Sequence, residues 1–196
     1  TGEFSFDTLS QRLRELSFLN KGVKIQIKDE RSDKSHLFEY KGGLESFVEY
    51  LNQRKTPIHS KVIYFETQKS EITVEVALQW NDGYNESVFS FANNINTIEG
   101  GTHLSGFRSA LTRCLNVYAE KAGILKGLSE KPSGEDIREG LSAVISVKLP
   151  NPQFEGQTKA KLGNSDLEGH VKQAVNDKFS AYLEENPSEA KKIVSK

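Results

Sequence analysis

Three adjacent side chains, Gln157, Thr158 and Lys159, hold the chemistry most worth pursuing in this chain. A lysine ammonium is a compact, mobile positive charge. The carboxamide and hydroxyl beside it add neutral donors, and the set suits a terminal phosphate group. Spacing alone makes this a weak signal, because most exposed loop lysines bind nothing. Other chemistry is sparse. His36, His59, His103 and His170 show no paired spacing that would hold zinc. The single Cys114 excludes an internal disulfide and a thiolate metal site, and it points to a reducing compartment. Gly100-Gly101 stands before a helix, where an anion could be cradled. No Gly-Lys-Ser or Gly-Lys-Thr follows, so the plainer reading is that the glycines shape the helix entrance.

Arg108 is the second candidate. It lies off the apolar stripe of its helix, together with Thr112, and should face outward. There it is either solvated surface or, grouped with others across a dimer, a phosphate contact lining a DNA-sized passage. Arg12 and Arg14 carry the same two readings, and composition favours the solvated one in each case.

The elements that must position these residues can be read from periodicity. Leu141, Ala143, Ile145, Val147 and Leu149 alternate as a strand that stops at Pro150. The polar segment 153–164 follows, and Ser165-Asp166-Leu167-Glu168 has the form of a capping box. Leu167, Val171, Val175, Phe179 and Leu183 then mark one face of a helix. A strand delivers the loop and a helix closes it, so Lys159 should sit on a fixed loop.

Upstream, Phe4 and Phe6 suggest a short strand, and Asp7 or Thr8 should cap a helix through Leu19. Val23, Ile25 and Ile27 form a hairpin with Leu37–Tyr40, and Leu44, Phe47, Val48 and Leu51 line a helix. Strands follow at Val62–Glu66 and Ile72–Trp80. Asn81-Asp82-Gly83 predicts a tight turn that returns Ser87–Ala92 as the partner of the latter. Thr102 should cap a long helix to about Lys121, and a short helix is expected at Gly134–Arg138. The pattern predicts an α+β fold in two layers, a sheet under long helices.

With 196 residues the chain can bury a sizeable core without staples. Lys and Arg total 26 against 27 Asp and Glu, so any nucleic-acid contact must come from a local patch. There is no signal-peptide pattern and no apolar run of membrane-spanning length. Methionine is absent, and Asn186-Pro187 opens a helix that has no stop signal before Lys196. The expectation is a piece of a longer polypeptide, with a strand and linking helix at 1–22, a main domain at 23–185 and the start of a C-terminal helix at 186–196.

Several blocks together resemble a known family. They are Arg12–Asn20, Lys55–His59, Val74–Tyr84, Asn93-Asn94-Ile95, Gly100–His103 through Arg108, and Gln157–Leu162. In order over essentially the whole chain, they resemble the B subunit of bacterial DNA gyrase, and the B subunit of topoisomerase IV is similar. The resemblance implies the second, or transducer, domain of the ATPase half: a two-layer sheet-and-helix sandwich with a left-handed βαβ crossover, shared with a ribosomal protein and certain kinases. It implies that Lys159, aided by Gln157, reaches the γ-phosphate of ATP held by the preceding domain, and that Arg108 lines the dimer cavity that receives DNA.

It also implies ATP and Mg2+ in the full-length protein and a cytoplasmic location. The implied partners are the preceding ATPase domain, a following metal-binding domain, the gyrase A subunit, DNA and a second copy. The acidic general base, magnesium-binding asparagine and lid glycines of that superfamily belong to the preceding domain and are not found here. The isolated chain is therefore expected to bind no cofactor and hydrolyse no ATP. A stand-alone nucleic-acid-binding module of the same fold is the alternative, and the charge balance argues against it. A related small-molecule kinase would need a longer phosphate-cradling glycine loop.

Overall fold

A computed structural model describes residues 2–196, so Thr1 lies outside the described residues. The chain opens with α1 (Phe6–Leu19), β1 (Lys24–Asp29), β2 (Lys34–Glu39) and α2 (Leu44–Asn52). Next come β3 (Ile63–Lys69), β4 (Ile72–Trp80), β5 (Ser87–Ala92), β6 (Ile95–Asn96) and β7 (Gly100–Gly101). The remainder is α3 (Thr102–Lys121), α4 (Gly134–Arg138), β8 (Leu141–Lys148), β9 (Phe154–Glu155), β10 (Lys161–Leu162), α5 (Ser165–Glu185) and α6 (Pro187–Val194). The fold is α+β.

The main sheet runs β3-β4-β8-β5-β6, with β8 antiparallel to β4 and parallel to β5. Its alternating apolar residues, among them Val76, Leu78, Trp80, Ala143 and Ile145, meet Phe107, Leu111, Val171, Val175 and Phe179 of α3 and α5. Gly106 lets these two helices cross closely, since a Cβ there would stand 2.8 Å from the Glu168 carbonyl oxygen. The opposite face carries a smaller core in which Phe18, Leu19, Phe47 and Val48 of α1 and α2 cover Ala77, Phe91 and Val144. Both faces of β8 are therefore covered, and seven of its eight residues are buried.

The predicted pairing of Ile72–Trp80 with Ser87–Ala92 does not form, because β8 lies between them. Asn81 and Asp82 give their backbone donors to Gly140 and Thr56. The Asn81 side chain accepts from the Gly83 amide at 2.9 Å, which makes an Asx turn inside a longer loop. Phe89 and Phe91 do share a face, but it is the one beneath α1 and α2. The tight hairpin of this region is β5–β6, turned by Asn93 and Asn94 with φ of 47° and 66°.

Two other local expectations differ. Phe4 and Phe6 make no strand; Phe6 opens α1, and the Ser5 hydroxyl caps it by accepting from the Thr8 amide. Thr102 is the first residue of α3 and does not cap it; Gly101 occupies the cap position with φ 138°. The hairpin β1–β2, the helices α2 and α4, and the Asn186-Pro187 start of α6 lie where periodicity and capping residues place them, and α5 follows its apolar periodicity.

Candidate functional site

The segment after β8 folds into a small hairpin. β9 and β10 pair antiparallel, and β10 pairs on its other edge, in parallel, with β7. Gly101 permits that second pairing, because a Cβ at this position would run into the backbone of Leu162. The glycine pair before α3 thus seats the hairpin as well as shaping the helix entrance.

The base of the hairpin is tied down by Asn164. Its Oδ1 accepts from the Gln153 amide at 2.6 Å, and its Nδ2 donates to the Asn151 carbonyl at 3.1 Å. Asn164 is the cap residue of α5, yet its side chain serves the loop and not the helix. The predicted Ser165–Glu168 capping box does not form, because Ser165 is the first helical residue and not the cap, and Glu168 pairs instead with Lys172 at 2.7 Å. Across the hairpin stem Glu155 and Lys161 face each other in register and pair at 3.2 Å. The Gly163 amide donates to Gln153 and the Glu99 amide to Ala160, which closes the base.

Gln157, Thr158 and Lys159 form the exposed tip of this hairpin. Gly156 and Lys159 both have positive φ, 82° and 54°. The left-handed region costs an ordinary residue about 1 kcal/mol, and such strain persists only where the surroundings impose it. The Lys159 ammonium sits 6.0 Å from the Phe154 ring centroid, at the outer limit of a cation–π contact. Among the described residues no carboxylate lies within ion-pair distance of it. The tip therefore offers an ammonium, a carboxamide and a hydroxyl on a braced support, a donor set that fits one phosphate group.

Arg108 is placed differently. It is half-buried on α3, and its Nη2 donates to the Glu86 carboxylate at 2.9 Å. Arg138 Nε approaches the same oxygen at 3.2 Å. Two guanidinium groups share one carboxylate, which leaves a local positive surplus. Arg108 also flanks a cleft of about 500 Å³ between α3 and the hairpin stem, with Ser105, Lys161 and Glu168 along it. The structure thus brings Gln157 and Lys159 together at the tip and sets Arg108 apart, near the stem.

Arg12 and Arg14 have structural partners. Arg12 bonds Glu15 and the Asn94 carbonyl, while Arg14 bonds the Tyr50 hydroxyl and stacks on Phe38 and Tyr50. His59 is buried, accepting from the Trp80 amide on Nε2 and donating from Nδ1 to the Lys61 carbonyl; burial lowers its pKa. Cys114 is buried, and burial raises its thiol pKa. Among the described residues no three His, Cys, Asp or Glu side chains gather as a metal site, and no helix is long and apolar enough to cross a membrane.

Sequence reading missed the supports of the tip: Asn164, the Glu155–Lys161 pair and the role of Gly101. The pair was in principle visible, as opposite charges flanking a Gly-containing turn. Asn164 was not, because the Ser165–Glu168 pattern drew attention to the helix start, and nothing in the spacing ties Asn164 to Gln153 and Asn151.

Comparison with known proteins fits this geometry into a wider group. A family model described as DNA gyrase B matches residues 43–196. The DNA gyrase B subunit of Myxococcus xanthus is 61% identical over 194 residues, covering 99% of this chain and 24% of that protein. The DNA gyrase B subunit of Clostridium acetobutylicum is 60% identical, covering 99% of this chain and 31% of its own length. The chain thus spans less than a third of the length of these relatives. Among solved structures, the 43K ATPase domain of Thermus thermophilus gyrase B superposes with a TM-score of 0.88 at 40% identity, over 100% of this chain and 52% of that one. The topoisomerase IV ATP binding domain of Francisella tularensis gives 0.82 at 28% identity, over 100% and 52%.

Proposed function

The chain belongs to the DNA gyrase B family, and from that premise we propose that residues 23–185 are its transducer domain, with 1–22 the segment whose helix α1 links it to a preceding ATPase domain. In this reading Lys159 senses the γ-phosphate of ATP held by that neighbour and relays its loss to DNA strand passage and negative supercoiling. The observation that carries it is the Lys159 tip itself. An ammonium without a carboxylate partner among the described residues stands on a strained residue of a hairpin whose β10 strand is paired on both edges.

ATP with Mg2+ would be bound mainly by the preceding domain and supplies the phosphate that is hydrolysed. What this chain contributes is recognition. Lys159 would meet the terminal phosphate with its charge, and Gln157 would donate a neutral hydrogen bond beside it. A charge-assisted bond of this kind contributes about 1.5–3 kcal/mol. It exists in the triphosphate state and not in the diphosphate state, and a ligand shifts a two-state equilibrium only by such a difference. Released from phosphate, the hairpin would free the rigid body of the domain to rotate, carrying α5 and α6 and whatever follows them. Homodimerisation, the following metal-binding domain, the gyrase A subunit and DNA complete the reading.

The test uses the full-length protein assembled with the gyrase A subunit. Lys159→Ala should lower ATP-driven supercoiling at least tenfold, and Gln157→Ala should lower it less. The chain by itself, as a control, should not turn over ATP. Supercoiling by Lys159→Ala at close to the wild-type rate would remove Lys159 from the mechanism.

A further inference from the structure

We propose that the buried cluster of Ser90, Thr97 and His103 is the positioning device that fixes the Lys159 hairpin against the central sheet; the inference rests on the role given to Lys159 above. All three residues are at most 3% exposed. Thr97 donates from its amide and its hydroxyl to the Ser90 carbonyl, at 2.9 and 2.8 Å. The Ser90 hydroxyl in turn reaches the Thr97 carbonyl at 3.1 Å. The Thr97 hydroxyl also lies 2.8 Å from the Ser90 hydroxyl and shares a hydrogen bond of 2.9 Å with His103 Nε2. The bonds thus join β5, the segment after β6, and the first turn of α3.

That segment is what the hairpin stands on. The Gly100 amide donates to the Thr97 carbonyl at 2.8 Å, the Glu99 amide to Ala160 at 2.9 Å, and Gly100-Gly101 pair with Lys161-Leu162. A continuous line of directional bonds therefore runs from the sheet to the residue next to Lys159. An apolar trio of the same shape could fill the space without desolvating hydroxyls and an imidazole. His103 even leaves Nδ1 without a partner in the interior. What the polar cluster adds is one defined geometry for residues 97–101.

The experiment again uses the full-length protein with the gyrase A subunit. Thr97→Val removes the hydroxyl at nearly constant shape. Thr97→Ser and His103→Gln keep the bond, since the Gln amide can stand where Nε2 stands. Hydrogen exchange at amides 156–163 should speed up at least tenfold in Thr97→Val and not in the two conservative variants, with β4 and β8 unchanged in all. The ATPase kcat of Thr97→Val should fall about tenfold with KM little altered, in keeping with the cost of small misplacements at a reacting centre.

Placed in a Lys159→Ala background, Thr97→Val should cause little further loss, because groups acting as one unit are non-additive. Unchanged exchange at 156–163, or equal speeding over the whole sheet, would overturn the inference. Should exchange respond while Lys159→Ala leaves ATP turnover intact, the positioning stands and the role of Lys159 falls.

Discussion

His103 is wholly buried at the start of α3, and burial pushes its imidazole down to about 4 from the ordinary 6.5. The folded state therefore binds this proton more weakly than the unfolded chain. The associated stability is fully present above pH 6.5 and is lost as pH falls toward about 4. At about 1.36 kcal/mol per pH unit the loss across that window is about 3 kcal/mol. Denaturant unfolding at pH 7.5 and 4.5 should show it, with a shallower fall in His103→Gln. An equal fall in both proteins would mean that His103 stays protonated or gains a partner on folding. His59, also lowered by burial, acts in the same direction. Asp29 acts in the same direction in a lower window: its pairing with Arg31 holds its carboxyl near 2, so its contribution is present above the ordinary 3.8 and lost as pH falls below it.

Among the elements, two glycines decide how α3 meets its surroundings. Gly106 lies under α5, where an added methyl would stand 2.8 Å from the Glu168 carbonyl oxygen and 3.3 Å from Val171 Cβ. Alanine would raise helix propensity by about 1 kcal/mol, but overpacking costs about 1–3 kcal/mol. Gly106→Ala should therefore lower the unfolding free energy by about 1 kcal/mol. Gly101 has the harsher constraint, with φ 138° and the Leu162 backbone directly in the way. Gly101→Ala should cost more than Gly106→Ala and should separate β10 from β7. Stability of the two variants by denaturant titration gives the order, and an unperturbed Gly101→Ala would contradict the parallel pairing.

At the level of the molecule, a net charge of −1 leaves any DNA contact to local patches. Glu86 facing both Arg108 and Arg138 makes one such patch. If Arg108 lines a DNA passage in the dimer, Arg108→Ala in the full-length enzyme should weaken DNA binding regardless of base sequence. It should also reduce the steepness of the salt dependence by about 1. An unchanged salt slope would return Arg108 to the role of a surface ion pair. The same patch explains why outward placement on a helix did not identify a free cation: Glu86 lies in a loop 22 residues earlier, and no helical periodicity links the two.

Local pattern was enough for the α+β class, the apolar faces of α2, α3 and α5, the β1–β2 hairpin, the strands β3 and β4, and the loop that carries Gln157, Thr158 and Lys159. Each depends on neighbours within a few residues, where periodicity and turn chemistry act directly. Tertiary structure decided the rest. The insertion of β8 between β4 and β5 follows from a crossover through α3, and the Asn81-Asp82-Gly83 turn signal cannot register a strand that arrives only after that helix. The bracing of Lys159 is likewise non-local, because Gly101, Asn164 and the Ser90–Thr97–His103 cluster come from separate segments. Their partners are chosen by the packing of helices on the sheet, and no spacing along the chain encodes that choice.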